Sequence, residues 1–410
     1  MAIGRLPANS VQEVQDMVAK ILAYQAAPGG NWQREIAYVA DNQPDPGGGG
    51  NFHNISNEIR FNWLTADMTA QPIYTLAPGY PNYTAVRAAN LAALGDGQMV
   101  MHWFGHGSKF RWGYSGTPRP LGVLDQSALP VRADLPLFLE WGCWTGYFIL
   151  IEPPTSAWPN YSFGEMLMKT PGKGGIADVS ATGAHTAPPL QIMSHGMHQA
   201  LFTQRLTRVG VAYTAMKLFF FANAGYALDV LDTTVLFGDP AMLLRLPQGD
   251  LSTSSAAVSA PQITPGQGLT LTVTLTNSSM FTLTNPRVAA AYPQDLMTVL
   301  DANGGAVGSG LISWTLSNLA PGASRSITAE LAAAAVITPG LYLLNFPVAV
   351  GSSMAPTVTL AAASSLLATA DLTPSVLAAD RAWAAPGQAV TYTLVISLSL
   401  IHISEPTRPY

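Results

Sequence analysis

Apolar positions along the first part of the chain follow two alternating rhythms. Short, nearly unbroken apolar runs occupy residues 36–39, 99–104 and 135–141, and 174–180 reads as a fourth strand. Ahead of them, Val11, Val14, Met17, Val18, Ile21 and Leu22 recur at the three- and four-residue spacing of a helix. Ser10-Val-Gln-Glu13 just ahead of them is a capping box. The same periodicity predicts helices over 83–94, 163–169, 190–206 and 209–223. Apolar strands separated by helices predict a mostly parallel sheet covered on both faces.

After Leu246-Pro-Gln-Gly the pattern changes. Leu269-Thr-Leu-Thr-Val-Thr-Leu-Thr-Asn277 alternates with period two, as a half-buried antiparallel strand does. Residues 251–400 hold eight charged side chains and no lysine, and turns are marked at Pro265-Gly266, Pro321-Gly322 and Pro339-Gly340. Short strands between such turns, with Trp314 inside one, predict a β-sandwich. Ile263-Thr-Pro-Gly-Gln-Gly-Leu-Thr-Leu-Thr matches Ala384-Ala-Pro-Gly-Gln-Ala-Val-Thr-Tyr-Thr393 at an offset of 121 residues. That offset suits one sandwich of ~100 residues and a linker.

The predicted organisation is an α/β domain over 1–247, a sandwich over 251–362, and the start of a second, truncated sandwich over 370–397. Residues 398–410 are set aside. Leu398-Ser-Leu-Ile-His-Ile-Ser-Glu-Pro-Thr-Arg408 breaks a plausible strand and resembles the conceptual translation of a sequencing adapter. At the other end, residues 1–7 read as the tail of a strand, so the α/β domain is expected to be incomplete upstream.

Composition narrows the function. Only 10% of the 410 residues are charged, against ~25% in an average soluble protein. The net charge is −5 with no basic block, which argues against nucleic acid. No run of ~18 uninterrupted apolar residues marks a membrane span. A single cysteine, Cys143, excludes an internal disulfide framework and a Cys-rich zinc module. Gly-x-Ser-x-Gly elbows, phosphate-binding glycine loops and dinucleotide fingerprints are missing.

Candidate chemistry sits at two strand ends. The strand over 99–104 runs into Gly105-His106-Gly107-Ser108, and that over 135–141 into Gly142-Cys143-Trp144-Thr145-Gly146. In open parallel sheets ligands bind beyond the carboxyl ends of strands. His106 and Cys143 are 37 residues apart, room for one crossover connection, and adjacent strands lie ~4.8 Å apart. A thiol attacking a carbonyl needs a base and oxyanion donors. Cys143 as nucleophile, His106 as base and acid, and the N–H groups of Gly107 and Cys143 make a complete set.

Blander readings stand beside this one. A lone cysteine at a strand end is more often a packing residue. His102, inside a strand, reads as a core histidine. His195 and His198 have the i, i+3 spacing of a metal pair, but no glutamate completes a zincin motif, so they read as helix-face histidines. Trp141 and Trp144 flank the cysteine, with core packing as the default for either. Asp239 reads as a turn residue. No metal site is expected.

The ordered motifs carry a family resemblance. Gly105-His106-Gly107-Ser108 with Trp112-Gly113, then an apolar strand ending in Cys143-Trp-Thr-Gly146-Tyr-Phe148, resembles the gingipain-type cysteine peptidases of the caspase-like clan. Ile3-Gly4-Arg5-Leu6-Pro7, the helix over 13–24, Val39-Ala40-Asp41 and Phe237-Gly238-Asp239-Pro240 extend the match over residues 1–247. The resemblance implies a caspase-like α/β fold and endopeptidase activity on protein or peptide substrates. It carries His106 and Cys143 over as the dyad. Trp144 and Trp112 are then expected along the substrate cleft. Some members add an acidic third residue, whose nearest position here is Gln43; of the neighbouring acids Asp41 and Asp45, Asp41 is the candidate. No acidic specificity pocket is evident around Asn54, so no preference for basic side chains follows.

The β region resembles the immunoglobulin-like repeats of bacterial surface and secreted proteins, through Pro265-Gly266-Gln267, the Thr-rich strand to Asn277, Tyr292-Pro293, and Trp314 with Pro321-Gly322. That implies a spacer or adhesive stalk, and a secreted or cell-surface location. No cofactor is required; structural calcium is compatible with this reading, but no motif for it is evident. The alternative is a catalytically inactive peptidase-like scaffold or adhesin.

Overall fold

Residues 2–42, 50–113, 119–149, 159–370, 372 and 375–397 are described by a computed structural model. The chain divides into two units, Met1–Pro247 and Gln248–Tyr410.

The first unit opens with α1 (Val11–Ala26), capped by Ser10, whose hydroxyl accepts the Glu13 N–H at 3.2 Å. It continues through β1 (Glu35–Ala40), α2 (Phe52–Asn62), β2 (Thr69–Tyr74), α3 (Tyr83–Asp96) and β3 (Val100–Phe104). A small hairpin follows, β4 (Gly107–Ser108) with β5 (Arg111–Trp112), and then β6 (Leu137–Trp141) and α4 (Phe163–Lys169). The unit ends with β7 (Ala177–Ala181), α5 (Ala187–His198), α6 (Val209–Ala224), α7 (Leu228–Thr233) and β8 (Thr234–Phe237). Six strands form one sheet in the order β2-β1-β3-β6-β7-β8, parallel except for β8.

Every residue of β3, β6 and β7 is buried, which explains why these strands read as apolar runs without alternation. On one face Met101, Trp103 and Phe138 pack with Val86 of α3 and Phe163 of α4. On the other, Tyr38, Leu139 and Val179 pack with Met193 of α5 and Phe220 of α6. Gly196 lets α5 approach α6 closely, since a Cβ there would lie 3.0 Å from the Met216 carbonyl oxygen.

Several expected elements shift. The fourth strand lies at Ala177–Ala181, beginning after the glycines at 174 and 175. The helix expected over 190–206 starts at Ala187, with prolines 188 and 189 in its first turn, and passes after His198 into a π-helical turn, Gln199–Thr203. Neither α2 nor β2 is evident from the apolar pattern. β2 is an edge strand with four of its six residues at least partly exposed, and Pro72 is tolerated there because an edge strand can spare a ladder donor.

The histidines away from the strand ends are packed into the first unit. His102 is buried with Nε2 2.9 Å from the Ser194 hydroxyl, and burial holds it well below the usual imidazole range. His195 pairs with Glu58 at 2.6 Å and stacks on Trp63. His198 departs from the helix-face expectation. It is buried, bonded to the Tyr38 hydroxyl at 2.8 Å, and lowered by burial to about 4. Asp239 serves the turn expected of it, accepting the Ala241 N–H at 2.8 Å.

Glu140 of β6 and Asp178 of β7 form a buried acid pair on the face that carries α4. The Ser180 hydroxyl donates to Asp178 Oδ2 at 2.5 Å. Burial, and then the charge of Asp178, push Glu140 well above the usual carboxyl range. Burial raises Asp178 from 3.8 to about 7 against the opposing hydrogen bond from Ser180 and the neighbouring Glu140 carboxyl. The pair is therefore held with protons that the unfolded chain releases near its ordinary values.

The second unit is a sandwich. Its strands are β9 (Ser255–Val258), β10 (Gln262–Ile263), β11 (Gly268–Thr276), β12 (Arg287–Ala291), β13 (Met297–Asp301), β14 (Ala306–Gly308), β15 (Leu311–Thr315), β16 (Ser324–Ala333), β17 (Gly340–Gly351) and β18 (Val358–Ala368). One sheet runs β10-β18-β17-β12-β15-β14 and the other β13-β16-β11-β9. Leu269, Leu271, Val273 and Leu275 of β11 point into a core shared with Ile312, Leu331, Phe346 and Val348. The alternate threonines face outward, where Thr274 and Ser326 meet across the strands at 2.8 Å. Trp314 donates its indole N–H to the Ala302 carbonyl at 2.8 Å. β19 (Val376–Ala379) and β20 (Tyr392–Val395) pair antiparallel with all their side chains exposed. Residues 398–410 lie outside the described residues.

The acid pair makes the first unit pH-sensitive. Its folded form binds protons more tightly than the unfolded chain, so stability falls as pH rises from about 3.8 towards about 7. Denaturant unfolding of Glu140→Gln/Asp178→Asn across this range is expected to show a shallower decline than wild type. An equally steep decline in the double variant would assign the pH dependence to other groups.

Candidate active site

β3 and β6 are adjacent and parallel, with Phe104 opposite Trp141. Gly105 donates its N–H to the Trp141 carbonyl at 3.1 Å, which carries the ladder one step past the strand ends. His106 lies two residues beyond Phe104 and Cys143 two beyond Trp141. Their separation of 37 residues equals the register offset of the strands, so the two emerge level on neighbouring strands ~4.8 Å apart.

Both residues line one cavity of about 400 Å³, with Phe52, Phe104, Trp141, the His185-Thr186 loop and the first turn of α5. Cys143 is half-buried and is a free thiol, its Sγ 3.6 Å from the His185 carbonyl oxygen. The next residue, Trp144, has φ +58°, a left-handed backbone uncommon for a side chain of that size. The turn is held there by the Trp144 N–H on the Gly183 carbonyl at 3.0 Å. Gly107 packs against the main chain of Cys143: a Cβ on it would lie 2.6 Å from the Cys143 oxygen and 3.0 Å from the Cys143 nitrogen. Glycine alone leaves that amide open.

The main chain of His106 is fixed on two sides. Its carbonyl accepts from Gly113 N–H at 2.9 Å and from the Trp103 indole at 3.1 Å. Its N–H donates to Asp41 Oδ2 at 3.1 Å, and its ring meets the edge of Phe52 at 5.4 Å. Asp41, just past β1, is buried and also accepts from the Tyr83 hydroxyl at 2.6 Å and the Asn42 N–H at 2.8 Å. Burial raises its pKa, and these three donors together with the charge of His106 oppose the rise. Asp41 thus holds the His106 backbone. Gln43 and Asp45 lie outside the described residues.

The two tryptophans expected along the cleft separate. Trp144 is 41% exposed beside Cys143. Trp112 is a correction: it is fully buried, stacked on Trp103 with centroids 5.0 Å apart and packed edge-on against Phe163. Pairing of β5 with β4 turns it into the core. Trp141, in contrast, lines the cavity. The sequence reading also passed over His185. It lies beyond the carboxyl end of β7, where the strand-end rule that drew attention to His106 and Cys143 applies equally. Its Nε2 is 2.7 Å from the Thr233 hydroxyl and its Nδ1 3.8 Å from Asp229; burial lowers its pKa despite that carboxylate.

Comparison with known proteins identifies the family and the fold. The sequence model of peptidase family C25 matches residues 1–245. Among solved structures, the Arg-specific cysteine proteinase gingipain R aligns with a TM-score of 0.50 at 17% identity, covering 90% of this chain and 75% of that one. A complex of the pro- and mature domains of RgpB from Porphyromonas gingivalis aligns at 18% identity and a TM-score of 0.49, covering 90% and 77%. No curated protein matches the sequence. Gingipain R shares the fold, and the family match spans the whole of the first unit up to residue 245. The chain therefore belongs to peptidase family C25, and is a cysteine-type endopeptidase on a gingipain-like α/β fold.

Proposed function

We propose that the chain hydrolyses peptide bonds through Cys143 and His106 by way of a thioester acyl-enzyme. The observation that carries this reading is the level placement of the single cysteine and His106 at one cavity, with Gly107 against the Cys143 main chain. His106 takes the Cys143 proton as Sγ bonds to the substrate carbonyl carbon. The carbonyl electron pair moves to oxygen, which is received by the N–H groups of Gly107 and Cys143. Collapse of this intermediate breaks the C–N bond, and His106 returns the proton to the leaving amine. Water then adds to the thioester, gives a proton to His106, and the C–S bond breaks to restore the thiol.

In this scheme Asp41 is a positioning residue. It acts on the His106 main chain, which it holds by a charge-assisted hydrogen bond. The substrates are proteins or peptides. The enzyme is proposed to work secreted or at the cell surface, with the sandwich as a spacer. Immunodetection of the chain in the cytosol alone would remove that part of the reading. Among the described residues no helix is long and apolar enough to cross a membrane.

Cys143→Ala is expected to lower kcat/KM on a peptide library by on the order of 10⁴-fold or more, with the melting temperature essentially retained. Cleavage at the wild-type rate by that variant would dismiss the mechanism. Gly107→Ala places a methyl against the Cys143 amide, so kcat is expected to fall on the order of 10²–10³-fold. Iodoacetamide should still alkylate Cys143 in that variant. A Gly107→Ala enzyme with undiminished kcat would mean that the oxyanion is received elsewhere.

A further inference from the structure

We infer that the cavity beside Cys143 receives a large uncharged, apolar side chain from the residue whose carbonyl is attacked, and disfavours lysine and arginine. The inference rests on the proposed role of Cys143, because it takes the cavity that Cys143 lines as the pocket nearest the cleaved bond.

The walls decide the chemistry. Phe52, Phe104, Trp141, Ala187, Pro188 and Leu190 supply apolar and aromatic surface, and among the described residues the lining holds no aspartate or glutamate. A guanidinium or ammonium entering there leaves water without gaining a counter-charge, which is costly for any buried ion. A further feature opposes a cation. His185 and Thr186 lead into the first turn of α5, a helix of twelve residues whose amino end carries partial positive charge. His185 adds no negative charge, with Nε2 turned to Thr233.

Asp41 does not change the balance. Its carboxylate is taken up by Tyr83 and by the main-chain N–H groups of Asn42 and His106. The volume of about 400 Å³ equals that of roughly a dozen waters at ~30 Å³ each, ample for phenylalanine, tyrosine, leucine or methionine.

The test varies the residue on the amino side of the cleaved bond in fluorogenic peptides, using the full chain. Acyloxymethyl ketones carrying phenylalanine, leucine or arginine at that place give a parallel rate of Cys143 labelling. Phenylalanine, tyrosine, leucine or methionine is expected to exceed arginine and lysine by about 10-fold or more in kcat/KM and in labelling rate. Equal or better rates with the basic residues overturn the inference while leaving the proposed mechanism standing. If no peptide is cut and no probe labels Cys143, the proposed mechanism fails and takes the inference with it. A second variant, Ala187→Asp, puts a carboxylate into the lining at the first position of α5, where the helix favours an acid. It is expected to move the preference towards arginine by about 10-fold or more, and an unchanged ratio overturns the pocket assignment.

Discussion

The register between β3 and β6 governs the rest of the site. Pairing of Phe104 with Trp141 brings two loops off the sheet at the same height, and equal two-residue steps then carry His106 and Cys143 to one cavity. A ladder of backbone hydrogen bonds holds that height. A slip of one residue would turn the strand's side chains to the opposite face, exchanging buried surface for mismatched layers on both sides of the sheet. The placement of these two residues is thus as well defined as the strands that carry them.

Close backbone packing refines what the ladder establishes. Asp41 ties the start of the His106 turn to β1, and Gly107 brings the chain against Cys143 without covering its amide. Trp144, in a left-handed conformation, turns the chain away immediately after the thiol. Such strain persists only where surrounding contacts over-determine it, and here a main-chain bond to Gly183 contributes. Three loops, after β3, β6 and β7, meet at the cavity as a result.

Beneath these loops the sheet is polar in two places, one on each face. Glu140 and Asp178 share one face, and His102, Tyr38, Ser194 and His198 form a linked group on the other. Burial favours the neutral form in both groups, raising the acids and lowering the imidazoles. Ser194 and His198 tie α5 to His102 of β3 and Tyr38 of β1. The sandwich follows a different economy, with few charges, an apolar inner face and a threonine outer face.

Much was legible in the amino-acid order alone. Runs without alternation marked β3 and β6, the flanking glycines marked their ends, and Ser10 with Glu13 marked the start of α1; each signal is local, written within a few residues. The strict alternation of β11 likewise declared which of its faces is buried. What no local pattern held was long-range. The burial of Trp112 depends on a two-residue hairpin and on Trp103; the part Asp41 plays depends on reaching the His106 N–H across the sheet. His185 enters the cavity because β7 lies beside β6. Edge strand β2 escaped notice because half-exposed edges need no apolar run. Sequence determined the residue types and the elements that present them. Tertiary structure decided which strand ends meet, because register and layer packing join residues that are far apart in the chain.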